Sequence, residues 1–201
     1  MAPVFEQFAL ADQYATAKGS KICALSCDNA PVEVVATCMV KSPFEPGNFD
    51  KTWSARQTLQ LRCGADLEDY FKGLDEWAID YIAEHAERLL KKPMTREQVL
   101  AGYTSSLSQK GPNPTLLKTK INLEGPNACR FWASDGTERG PPTDWRASEY
   151  TPSLTIRYLW QMSGRFGWVV EVTDLLVIEP EAVVRRSPFI GRSGYEPASP
   201  S

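Results

Sequence analysis

The side chains with chemistry to offer in this chain are cations and aromatic rings. Arg56, Arg62, Lys118, Lys120 and Arg157 fall on the polar side of stretches that alternate apolar and polar residues. Arg130 sits in a short strand-like run and Arg165 in a polar junction. Trp132, Trp145 and Phe166 lie in a short strand and in loops beside them. Guanidinium and ammonium groups neutralise phosphates, and flat rings offer stacking faces to other flat rings. Catalytic equipment is thin by comparison. His85 is the only histidine, and there is no phosphate-binding glycine loop and no nucleophile elbow. Cys23 and Cys27 have a spacing that could start a metal site, but a second close cysteine pair is missing. The expectation is a protein that is not an enzyme and uses no metal or other cofactor. A carboxylate-only metal enzyme is the minor reading, and it requires at least three acids converging in one cleft.

These groups need strands to hold them. From Thr52 to Cys63, Trp53, Ala55, Leu59, Leu61 and Cys63 share one parity, while Arg56, Thr58, Gln60 and Arg62 share the other. From Thr115 to Leu123, Leu117, Thr119, Ile121 and Leu123 alternate with Lys118, Lys120 and Asn122. Ser153 to Pro180 reads as a closing hairpin, with Leu154, Ile156, Tyr158 and Trp160 on one side of its first strand. Its glycines, Gly164 and Gly167, suit a positive φ or a close backbone approach. By parity Trp53, Tyr158 and Trp160 belong to the core, which leaves Trp132, Trp145 and Phe166 for stacking. Pro31 to Val40 is the first strand, and Asp135-Gly136 marks another hairpin turn. One long helix spans 66–92, with Leu67, Phe71, Leu74, Ala78 and Ile82 in its apolar stripe and Asp66 as its cap. A short helix follows from Thr95 to Tyr103, capped by Thr95 with Gln98. The fold class is mainly β with one long helix (α+β), built as a small five-stranded antiparallel barrel.

A length of 201 residues suits one domain. Residues 1–30 read as an N-terminal arm, 31–180 as the domain and 181–201 as a C-terminal tail. Net charge is −3, but it is segregated. Asp66 to Arg88 holds eight acids against Lys72 and Arg88, so this segment carries −6 and the rest of the chain +3. No apolar run approaches the roughly 20 residues of a membrane-spanning helix. The N-terminus lacks the charged start and apolar run of a secretory signal, and five scattered cysteines fit reduced thiols. The expectation is an intracellular, unsecreted protein of the nucleus, the cytoplasm or a viral factory, without a membrane partner.

The order of strand, long helix, basic strand, Asp-Gly hairpin and closing hairpin resembles the phage single-stranded-DNA-binding proteins, which have one OB barrel with an inserted helix. The segment from Tyr158 to Val177 is also similar to one in proteins of large DNA viruses of algae and protists. There a glycine-led strand recurs, matched here by Gly167, Val170 and Val172. The likeness covers roughly Thr52 to Pro180. It implies an OB-like barrel that binds single-stranded DNA non-specifically in replication, recombination or repair. Phosphates would then meet Arg56, Arg62, Lys118, Lys120, Arg130, Arg157 and Arg165, and bases would meet Trp132, Trp145 and Phe166. RNA stays open as the alternative strand, replication proteins as further partners, and a homodimer as the assembly. The phage family ends in an acidic tail, whereas this tail has Arg185, Arg186 and Arg192 against Glu181 and Glu196. The rival reading is a structural or protein-interaction module of a virion or assembly, which uses the barrel without binding nucleic acid. It predicts strand arginines paired with acids and exposed apolar surface.

Overall fold

The computed structural model describes residues 5–16, 21–48 and 53–180. The first strands are β1 (Phe8–Leu10), β2 (Tyr14–Ala15), β3 (Lys21–Cys27), β4 (Val32–Val35), β5 (Val40–Lys41) and β6 (Arg56–Arg62). Three helices follow: α1 (Ala65–Glu84), α2 (Ala86–Leu90) and α3 (Arg96–Gly102). Next come β7 (Tyr103–Thr104), β8 (Leu107–Ser108), β9 (Leu116–Asn122), β10 (Arg130–Trp132) and β11 (Glu138–Arg139). The hairpin of β12 (Glu149–Met162) and β13 (Arg165–Ile178) completes the order.

That hairpin is the spine, because each of its strands is 14 residues long and reaches several partners. β3, β4 and β5 pair antiparallel with successive parts of β12. β13 pairs with β9, and β9 with β6. A bridge between Gly47 and Thr58, with N–H···O bonds of 3.0 and 2.9 Å, joins the loop after β5 to β6 and closes the ring. A closed ring of five strand segments with one long helix is an OB-like barrel. The joint between β9 and β13 runs parallel, as do those of β10 and β7 with β13, so the sheet is mixed. Inside lie Leu59, Leu61, Leu117, Ile121, Leu154, Ile156, Val170 and Val172, joined by Phe71, Leu74 and Ile82 of α1.

Local chemistry explains the departures from expectation. The segment read as an arm supplies β1 and β3, whose Phe8, Leu10, Cys23 and Leu25 are buried. Ala24 and Ser26 separate those apolar residues, so the alternation is short and faint. The expected strand over 31–40 is cut into β4 and β5. The long helix starts at a Gly64 cap; Asp66 instead accepts a 2.9 Å hydrogen bond from the Thr37 hydroxyl. His85, with φ −111°, interrupts the helix and separates α1 from α2. The Thr95–Gln98 capping box is present on α3. The Asp135-Gly136 turn joins β10 to β11, with Gly136 at φ 83°. No helix among the described residues is long and apolar enough to cross a membrane. The tail of 181–201, with Arg185, Arg186 and Arg192, lies outside the described residues.

Candidate nucleic-acid interface

Two strands carry the cations. Inward residues Gln57, Leu59 and Leu61 of β6 face Ile121, Thr119 and Leu117 of β9. The outward set is therefore Arg56, Thr58, Gln60 and Arg62 opposite Asn122, Lys120, Lys118 and Leu116. Arg56, Arg62, Lys118 and Lys120 thus share one surface, and none of the four forms an ion pair among the described residues. Lys120 donates to the Thr58 hydroxyl at 2.8 Å. Burial, reinforced by the positive charges of Lys118 and Arg56, holds its ammonium below the ordinary lysine range. The cations repel one another there, and an anion would relieve that.

A bulge in β12 adds the aromatics. Ile156 pairs with Val170, and Tyr158 pairs with the very next residue of β13, Val169, so Arg157 is the extra residue. A bulge of this kind reverses which residues point outward beyond it. Leu154 and Ile156 are inside, and after the bulge Leu159 is inside, at 1% exposure. Tyr158 and Trp160 consequently turn to the outer surface and stay partly exposed, contrary to the parity reading. The Trp160 ring lies across Gly167, where an added Cβ would come 3.3 Å from its Cζ2 and 2.3 Å from the Thr104 carbonyl oxygen. Gly167 is therefore the close-approach glycine. The turn glycine is Gly164 (φ 78°), which follows Ser163 (φ 51°) in a two-residue turn.

Two grooves flank β9. The larger, of ≈400 Å³, is lined by Phe44, Gln60, Arg62, Lys110, Asn113 and Leu116 among others, and among the described residues it contains two cations and no carboxylate. The smaller, of ≈180 Å³, runs between Lys118, Lys120, Ser105, Trp160 and Val169. Phe44 (52% exposed) and Trp53 (69% exposed) stand on the loop before β6. Trp53 was expected in the core, but β6 begins only at Arg56, so strand parity does not reach it.

The remaining expected residues divide. Arg157 lies on the same surface, and its guanidinium pairs with the Glu171 carboxylate, which also accepts from the Asn122 amide. Arg130 pairs with Asp174 at 2.8 Å and lies over the Trp132 ring, while the Trp132 indole donates to Asp174 at 2.9 Å. Both continue the line of β9 along β13, each already engaged. Arg165 is exposed at the hairpin tip. Trp145 and Phe166 are corrections, since they are buried at 7% and 1%. Trp145 packs edge-on to Phe131, and the buried Tyr150 hydroxyl donates to the Trp145 carbonyl at 2.7 Å. Phe166 packs against Tyr103 of β7, its register partner. Neither ring is available to a ligand. Phe44, Lys110, Tyr158 and Trp160 border the same surface and grooves, and sequence reading did not single them out as candidates. Two closely spaced aromatics beyond a strand's arginine are a bulge signal only when the partner strand is known.

The acidic helix lies on the other face of this wall. Trp77 of α1 stacks on the inward-facing Trp168 at 6.3 Å. Glu76 and Asp80 pair with Arg96 of α3, and Glu68 with Lys72. Asp75 is the exception that reaches toward the smaller groove, accepting from Tyr103 and Ser105. Burial pushes its carboxyl above the ordinary value, against those two hydrogen bonds. Among the described residues, no three His, Cys, Asp or Glu side chains gather as a metal site requires.

The fold and surface together define an OB-like barrel with a basic, aromatic-bearing sheet face. The structure is similar to that of gp2.5, a single-stranded DNA binding protein encoded by bacteriophage T7. The TM-score is 0.53 at 14% identity, covering 85% of this chain and 100% of that one. The single-stranded DNA-binding protein from bacteriophage Enc34 gives a TM-score of 0.46 at 10% identity, over 89% of this chain and 96% of that one. Its complex with single-stranded DNA gives 0.47 at 8%, over 86% and 96%. At 14% identity the gp2.5 likeness shows a shared fold and nothing finer. No family model matches the chain, and no curated protein does.

Proposed function

We propose that this protein binds single-stranded nucleic acid through the outer surface of β6, β9 and β12, with single-stranded DNA as the strand and little preference for sequence. The observation that carries the reading is the union of four cations without an ion pair among the described residues with the aromatics re-aimed by the Arg157 bulge. Arg56, Arg62, Lys118 and Lys120 would contact phosphates, with Lys110 extending the row. Trp160, Tyr158 and Phe44 would stack on bases, a contact worth roughly 1–3 kcal/mol per base and tolerant of sequence. OB folds use the faces of their second and third strands and the adjoining loops for oligonucleotides. Here β6 and β9 hold those positions, and gp2.5 of bacteriophage T7, a protein of similar fold, is a single-stranded DNA binding protein. Work in replication, recombination or repair, inside a cell or a viral factory, belongs to this reading. So does the likeness of the closing hairpin to proteins of large DNA viruses, which rests on that segment alone.

A titration of fluorescent oligonucleotide tests it. Four neutralised phosphates give a log–log salt slope of about −2.8, from about −0.7 per phosphate on a single strand. Removing Arg56 or Lys118 lowers that slope by about 0.7 each. A salt-independent signal, or equal affinity for duplex, would sink the reading. Arg157–Glu171 and Arg130–Asp174 are what favours the rival assembly module, which predicts strand arginines tied to acids. That module would leave oligonucleotide unbound at low salt.

A further inference from the structure

We propose that the smaller groove captures an abasic sugar in a single strand, with the Lys120 amine forming an imine with the open-chain aldehyde of that sugar. The inference rests on the single-strand reading above and adds a covalent step to it. Lys120 lies on β9 and lines the groove with Trp160 and Ser105. Among the described residues, the hydrogen-bond partner of its Nζ is the neutral Thr58 hydroxyl on β6. The charged groups around it are Lys118 on the same strand, Arg56 on β6, and Glu171, its register partner on β13. The Glu171 carboxylate is taken up by Arg157 and Asn122. Partial burial between two positive charges disfavours the ammonium, so the neutral amine is more abundant than on a solvated lysine. Lysines desolvated beside another cation are the ones that attack carbonyls.

Size points to the ligand. A volume of ≈180 Å³ is below the roughly 300–1,000 Å³ of pockets for drug-sized molecules, and it suits a sugar without its base. Trp160 on the same wall offers a face to the neighbouring base, which leaves the vacant C1′ next to Lys120. In the step itself, the Nζ lone pair forms a bond to C1′ of the aldehyde, and a proton moves from nitrogen to oxygen to give a carbinolamine. That oxygen takes up a proton from solvent and leaves as water, and a protonated imine remains. No oxidant or reductant is needed.

The test uses the full chain and a labelled single-stranded oligonucleotide with one abasic site, incubated with sodium cyanoborohydride and resolved on a denaturing gel. The expected result is a band of protein joined to oligonucleotide, absent with a tetrahydrofuran analogue that has no aldehyde, and mapped by mass spectrometry to Lys120. Lys120→Arg keeps the charge and should lower the yield to less than about a tenth at saturating protein. Lys72→Arg, on α1 and paired with Glu68 away from the groove, should still give adduct. Adduct retained by Lys120→Arg, or mapped to another amine, overturns the proposal. Binding of the abasic oligonucleotide without adduct also overturns it, and leaves the single-strand reading intact. Failure to bind either abasic or intact strand removes both.

Discussion

Replacing Trp160 with alanine separates the bulged strand from the regular one. In a regular strand Trp160 would share the inward parity of Ile156, and its truncation would cost about 3–5 kcal/mol of stability, as for a buried aromatic. With Arg157 as the extra residue the ring is partly in water and lies across Gly167. The stability cost then stays below about 2 kcal/mol, since part of the ring's apolar area was never buried. Binding should suffer instead. Loss of one stacked base at about 1–3 kcal/mol weakens affinity roughly 5- to 150-fold, with the salt slope unchanged because no phosphate contact is lost. Urea unfolding and fluorescence anisotropy on the same preparation give the two numbers. A variant that loses more than about 3 kcal/mol of stability yet binds the oligonucleotide like the parent would refute the outward placement and its proposed role.

Other perturbations probe the supports. Gly167→Ala sets a Cβ 2.3 Å from the Thr104 carbonyl oxygen, which forces β7 away. Chemical denaturation should register a loss of about 1–3 kcal/mol, accompanied by weaker strand binding. Tyr150→Phe deletes the buried hydroxyl bond to the Trp145 carbonyl. It should cost about 1 kcal/mol in unfolding experiments and leave oligonucleotide affinity unchanged, as suits a core role for Trp145. For Asp174, burial acts to raise the carboxyl pKa, but hydrogen bonds from Arg130 and Trp132 outweigh it, so the group lies below its ordinary 3.8. A depressed folded value contributes stability above pH 3.8 that fades as pH falls through the folded value. The stability gap between the parent and Asp174→Asn, measured by denaturation across pH, should therefore narrow below that point.

The cation rows were legible in the sequence because β6 and β9 alternate strictly, so period two alone puts Arg56, Arg62, Lys118 and Lys120 on one side of each strand. That the two rows share a surface follows from the β6–β9 register, which no single strand states. The capping box at Thr95 and the turns at Gly136 and Gly164 were equally readable, since each depends on residues adjacent in sequence. The aromatics were not. Trp145 and Phe166 sit in stretches that look like loop and junction, yet the Tyr150 bond and the Tyr103 contact bury them. Tyr158 and Trp160 were misassigned because a parity count runs through Arg157 as though it had a partner. The bulge exists only in the pairing with β13, and information of that kind is tertiary. β3 was missed for a related reason, because its stability comes from β12, some 130 residues later in the chain.

The pairing of β12 with β3, β4 and β5 has a consequence for how the molecule is made. β3, β4 and β5 cannot all find β12 until residues up to Gln161 have left the ribosome, and the joint from β9 to β13 must wait for Val172. Long-range closures of this kind are entropically late and slow. During translation the apolar sides of β3, β4 and β6 therefore stay wet, and a nascent chain halted before the final hairpin would be a client for chaperones.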